Sequence, residues 1–221
     1  MAKASMSKRR KEGAEETAVR DRILKAAFAA FMKSGYATAS TLEIATRAHV
    51  SKRELYALVG NKQEMLIACI TERAKRFDVP ADLSVLRDRE TLAQVLTSFG
   101  TRLVHEASDP TVIGVFRLAI SEVTHAPEVA RTLDSIARER SRTSLRKIMA
   151  GAHASGLLTG RPAELAKQFV GLLWCDLQVN LLLGVAERPG PREIARLARD
   201  AAAAFMQLHP TEGRASFLTR Q

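Results

Sequence analysis

Lys52, Arg53, Glu54 and Ala57 all point outward from one short helix if Leu55 and Leu58 supply its apolar side. Lysine and arginine can donate to guanine O6 and N7, a carboxylate can accept from cytosine N4, and an alanine methyl can rest on a thymine methyl. The run therefore holds groups able to read base edges. The same charges would also serve as a solvated helix face, and spacing alone leaves both readings open. Ser51 is placed to cap this helix. Before it, Thr41 can cap another short helix with Ile44 at its third position and Leu42, Ala45 and Ala48 on its apolar face, broken at His49 and Val50. Two short helices joined by a tight turn predict a helix-turn-helix. Such a unit lays its second helix in the major groove while the first braces across the phosphate backbone.

Longer elements must hold this pair in place. Ile23, Ala26, Ala27, Ala30 and Phe31 recur at helical spacing and Gly35 supplies a stop, which predicts a first helix over 17–34. Gly60 and Asn61 end the third helix, and Asn61 with Glu64 forms a capping box for a fourth carrying Met65, Leu66, Cys69 and Ile70. Residues 1–17 have almost no bulky apolar side chain and read as a flexible basic tail. Their Lys8–Lys11 cluster is either a solubilising tail or an arm that follows the phosphate backbone or minor groove. Residues 79–84, with Pro80, read as a boundary. Further helices are predicted over 89–107, 110–125, 127–155, 162–184 and 191–208, before a polar tail over 210–221. No period-2 apolar alternation occurs, so the expected fold is all-α. Its parts are the tail, a helix-turn-helix domain over 18–78, and a larger helical domain over 79–209.

Charge concentrates around the helix-turn-helix. The 221-residue chain has 34 Lys and Arg against 24 Asp and Glu, a net charge of +10, and residues 1–80 hold 16 basic and 9 acidic side chains of these. That balance implies a polyanionic partner, nucleic acid or an anionic membrane face. No stretch approaches the roughly 18 uninterrupted apolar residues of a membrane span, and the start is basic and polar, so a cytoplasmic protein without a membrane partner is expected. Two cysteines, Cys69 and Cys175, cannot build a disulfide framework or a metal quartet and are expected to be small buried hydrophobes. His105, His125 and His153 lack ligand spacing. There is no phosphate-binding glycine loop, nucleophile elbow or metal motif, so neither catalysis nor a cofactor is expected.

Residues 20–70 carry a more specific likeness. The run Thr41-Leu42-Glu43-Ile44-Ala45-Thr46-Arg47-Ala48-His49-Val50-Ser51-Lys52-Arg53-Glu54-Leu55-Tyr56, then Asn61-Lys62-Gln63-Glu64-Met65-Leu66, resembles the DNA-binding domain of the TetR family of transcriptional regulators. The Gly35-Tyr36 turn, Ile44-Ala45, Val50-Ser51-Lys52, Leu55-Tyr56 and Asn61-Lys62 together are far more specific than a generic helix-turn-helix pattern. The resemblance implies a three-helix N-terminal DNA-binding domain and a larger helical domain that dimerises and binds a ligand. It also implies that Thr41, Tyr56 and Lys62 contact phosphates, while Lys52, Arg53 and Ala57 face base edges, and Ser51 and Glu54 complete the expected DNA-binding set. Glu54 on the same helix repels phosphate and suits cytosine, which sharpens specificity. The bland alternatives are a core role for Tyr56 and a purely capping role for Thr41. Three positions depart from the family pattern, Glu54 being one. His49 stands where glycine is usual in the turn, so a less comfortable positive φ is expected there, and Val59 replaces an aromatic.

In the second half, residues 169–183 are apolar nearly all round, so a helix there needs burial on more than one face, which a dimer interface supplies. The next helix is amphipathic, with Ala195, Ala198, Ala202 and Ala203 allowing close approach. The family resemblance implies that these two helices pair with their copies as a four-helix bundle on a pseudo-palindromic DNA operator. Phe99, Leu103, Phe116, Ile120, Leu145, Met149 and Trp174 are candidate walls of an effector pocket, with Arg117, His125, Asp176 and Gln178 as polar contacts, though core packing or dimer-interface polarity is the simpler explanation of each. The expected function is a homodimeric, sequence-specific repressor released from double-stranded DNA by a small molecule. The alternatives are a nonspecific nucleic-acid binder, or a helical carrier or enzyme whose basic domain is incidental.

Overall fold

The computed structural model describes residues 2–74 and 86–210, with side-chain surroundings from Gly13 onward. The boundary expected at 79–84 and all but the first residue of the tail expected over 210–221 lie outside the described residues. Regular structure among the described residues is all helical: α1 (Ala2–Ser34), α2 (Thr41–Ala48), α3 (Lys52–Val59), α4 (Lys62–Ala74), α5 (Arg89–Ala107), α6 (Pro110–Ser121) and α7 (Pro127–Thr132), then a π-helix (Leu133–Arg138), α8 (Glu139–Ala154), α9 (Pro162–Trp174), α10 (Leu177–Leu183) and α11 (Pro191–Leu208). None of these helices is long and apolar enough to cross a membrane. Contacts divide the chain into two compact units, and the first is discontinuous: it joins Met1–Arg73 to Gly114–Ile136.

In the first unit, α1 begins at Ala2, well before the expected start at residue 17. Alanine, lysine, arginine and glutamate dominate that stretch, and their intrinsic propensity extends a helix without an apolar face. Ile23, Ala27, Ala30 and Phe31 of α1 are buried with Ile44, Ala45 and Ala48 of α2, Leu55 and Val59 of α3, and Met65 and Leu66 of α4. Ser40, not Thr41, is the N-cap of α2: its hydroxyl accepts from the Leu42 and Glu43 N–H groups. Leu42 is 63% exposed instead of on the apolar face, because at 3.6 residues per turn it lies about 200° around the helix from buried Ile44. Cys69 is buried as expected, and its thiol points to the Leu24 carbonyl. Burial pushes this thiol up to about 11, against the opposing pull of Arg73 and Arg20. In mildly alkaline iodoacetamide Cys69 is therefore expected to stay unmodified in the native protein and to react once urea unfolds it, which peptide mass spectrometry checks.

The second unit is built on α5, α8, α9 and α11. The Phe169 ring lies 6.5 Å from Phe99 and edge-on to Phe205 at 5.7 Å, so α5, α9 and α11 meet around one aromatic. Gly100 lets them close up, because a Cβ there would lie 3.1 Å from Leu173 and 3.2 Å from the Ala198 methyl. The Arg89 guanidinium donates to the Leu157 and Met206 carbonyls at 3.1 and 2.6 Å, closing the ends of this layer. Two expected long helices are interrupted. The 127–155 stretch contains the π-helix, and the 162–184 stretch breaks at Cys175, which has φ 43° and ψ −115°. Cys175 is exposed, contrary to the expectation of burial, because the break turns it out of the apolar stripe.

Candidate nucleic-acid interface

Local chemistry fixes the α2–α3 corner. The His49 N–H donates to the Thr46 carbonyl and the Val50 N–H to the Ala45 carbonyl, both at 3.1 Å, closing α2 as a Schellman motif. His49 takes the left-handed conformation, φ 55° and ψ 47°, as its place in the turn predicts. The Ser51 hydroxyl accepts the Glu54 N–H at 3.0 Å and starts α3. Its buried side is Leu55 with Val59, four residues apart, while Leu58 is only half-buried. Lys52, Arg53, Glu54, Tyr56 and Ala57 are exposed on the rest of α3.

These side chains are tied to α2. Tyr56, 42% exposed and so no core aromatic, brings its hydroxyl to 3.4 Å from the Thr41 hydroxyl. The Lys52 ammonium lies 5.9 Å from the Tyr56 ring centre, a cation–π distance. A threonine hydroxyl, a phenol and an ammonium thus form one exposed cluster. Hydroxyls and ammonium groups are the donors with which proteins fix register on a phosphate backbone. Arg53, Glu54 and Ala57 lie on the same helix, free of any burial that would keep them from a groove.

Lys62 stands at the start of α4. Asn61 caps that helix, its Oδ1 accepting from the Gln63 and Glu64 N–H groups at 2.9 and 3.0 Å, while the Glu64 carboxylate accepts the Asn61 N–H at 2.7 Å. The expected capping box is complete. The Lys62 ammonium donates to the Ala37 carbonyl at 2.8 Å and lies 5.0 Å from the Tyr36 ring centre. Partial burial lowers its pKa from the ordinary lysine value, and the negative charge of Glu122 pulls it back up. Burial raises the Tyr36 phenol, helped by Glu128 and Glu122. Glu122 escaped the sequence reading: it lies 85 positions from Ala37, and no local pattern marks it.

Two family models match this chain. Residues 23–69 match the one described as bacterial regulatory proteins, tetR family, and residues 94–209 match the AefR-like transcriptional repressor C-terminal domain. The chain belongs to the TetR family. As a TetR-family transcriptional regulator it shares its fold with solved structures. A TetR transcriptional regulator from Agrobacterium tumefaciens is 26% identical, with a TM-score of 0.72 over 89% of this chain and 97% of that one. A TetR-family regulator from Pseudomonas syringae pv. tomato is 25% identical, with a TM-score of 0.64 over 86% and 96%. The flavonoid-responsive regulator FrrA, at 23% identity and a TM-score of 0.75 over 89% and 99%, shows the fold alone. Comparison with curated proteins gives no match.

The candidate effector residues are less tightly gathered than the DNA-facing ones in this TetR-family chain. Phe99, Leu103, Leu145, Met149 and Trp174 are buried in the second unit, where Gln178 is half-buried. Phe116 is half-buried and Ile120 is 58% exposed, and both belong to the first unit.

Proposed function

We propose that this TetR-family regulator is a homodimeric, sequence-specific repressor that works in the cytoplasm and leaves its operator when a small molecule binds within residues 79–209. The observation that carries the DNA-binding part is the exposed Thr41–Tyr56–Lys52 cluster beside Arg53, Glu54 and Ala57 on α3. Thr41, Tyr56 and Lys62 hold phosphates. Lys52 and Arg53 address guanine, Ala57 a thymine methyl and Glu54 a cytosine. Dimerisation is supported by Val179, Leu183 and Val185, which are 55%, 71% and 73% exposed in and just after α10, an apolar surface that a second copy would cover. The match to a repressor C-terminal domain favours repression.

Selection of bound duplexes from a random library, followed by fluorescence anisotropy on the recovered sequence, tests this reading. Lys62→Ala is expected to weaken binding roughly 10-fold and to lower the salt slope by about one charge per protomer, whereas Arg53→Ala changes which sequences are preferred. Equal affinity for every duplex would favour the nonspecific alternative, and an unaltered Lys62→Ala would favour the carrier. Adding flavonoids and fatty acids as probes to the recovered complex tests effector release.

A further inference from the structure

Glu122 lies immediately after α6 and is only 7% exposed. Its Oε1 accepts the Ala37 N–H at 3.2 Å. The carboxylate sits hard against Gly35, whose φ is +81°, and a Cβ at that glycine would be 2.8 Å from Glu122 Oε1. The carbonyl of the same Ala37 accepts the Lys62 ammonium at 2.8 Å. Ala37 is therefore held from both sides, by a carboxylate on its N–H and by an ammonium on its C=O. A buried carboxylate is costly to retain, and an apolar residue of similar size would fill the space without that penalty. Something besides packing accounts for a carboxylate here.

We infer that Glu122 is a positioning residue for phosphate binding, whose hydrogen bond to Ala37 sets the carbonyl that holds the Lys62 ammonium ready for the DNA backbone. The inference rests on the proposed role of Lys62 as a phosphate contact. An ammonium has three donors, so one can stay on Ala37 while the others reach phosphate oxygens. A lysine held in this way has already surrendered the rotamer freedom that a loose one loses on binding.

Two near-isosteric variants separate the hydrogen bond from the charge. Glu122→Gln keeps an oxygen for the Ala37 N–H and loses the charge, while Glu122→Asp keeps the charge and withdraws it by one methylene. On the recovered duplex, Glu122→Asp is expected to weaken binding several-fold and to lower the salt slope by up to about one charge per protomer, with Glu122→Gln close to the parent protein. In a Lys62→Ala background, Glu122→Asp should have no further effect. Thermal melts identify any variant that has lost its fold. If Glu122→Asp is one, Glu122→Ala, which removes the acceptor of the Ala37 N–H, takes its place and is expected to weaken binding several-fold, and parental binding by a folded variant that lacks the acceptor would overturn the inference. Loss in Glu122→Gln with retention in Glu122→Asp, or an undiminished Glu122→Asp effect in the Lys62→Ala background, would overturn it. A Lys62→Ala protein that binds like the parent would instead remove the phosphate reading on which the inference stands.

Discussion

Phe169→Ala is expected to lower the unfolding free energy by about 3–5 kcal/mol. Phe169 is 0% exposed and touches both other rings of its cluster, tilted at 57° to Phe99 and edge-on at 88° to Phe205. Removing it deletes buried apolar area and two aromatic pairs, each worth about 0.5–1.5 kcal/mol beyond that area. The surroundings have little freedom to collapse into the space, because Gly100 and Ala198 already bring α5 and α11 together. Phe169→Leu keeps most of the volume and should cost well under half as much. Urea unfolding followed by circular dichroism measures both. A loss below about 1 kcal/mol for Phe169→Ala would mean that the cluster is not the centre of the second unit.

Gly60→Ala is expected to cost about 2–3 kcal/mol and to weaken DNA binding in the same stroke. The residue has φ 82° and ψ −155°, a region open to glycine almost alone. A Cβ there would also fall 2.1 Å from Glu64 Oε2, the oxygen that accepts the Asn61 N–H. Alanine must push that carboxylate away, so backbone strain and a lost capping box arrive together next to Lys62. The two parts can be separated. Glu64→Ala alone should cost about 1 kcal/mol, and adding Gly60→Ala to it should cost only the strain. Additive losses in the double variant would show that the carboxylate and the new methyl never compete. Anisotropy on the recovered duplex reads the binding side of the same variants.

The parts of the interface visible in the sequence are those written by neighbours. Asn61 with Glu64, Ser51 before Lys52, and His49 between two short apolar patterns each act within four residues, so their geometry follows from residue type and spacing. Ser40 and Thr41 show where that limit begins: two adjacent hydroxyls offer the same cap, and only packing of Ile44, Ala45 and Ala48 against α1 selects the first. The break at Cys175 and the π-helix over Leu133–Arg138 were hidden for a related reason. Both interrupt helical sequence without glycine or proline, so they answer to tertiary packing and not to local propensity. Glu122 is the extreme case, an acidic residue after a helix whose partner is most of a domain away in sequence.

The discontinuous first unit bears on how such regulators could be recombined. The first 73 residues resemble a portable reading head, and a chimera cut after α4 is the obvious way to give this head a different sensor. Yet residues 114–136 belong to the same unit, and with them comes the carboxylate that grips Ala37. A graft that carries only the head leaves the Ala37 N–H without its acceptor and Gly35 facing whatever the foreign sensor places there. Successful exchanges should be those whose donor brings an acidic side chain to the same spot, or whose recipient is given the 114–136 segment along with the head.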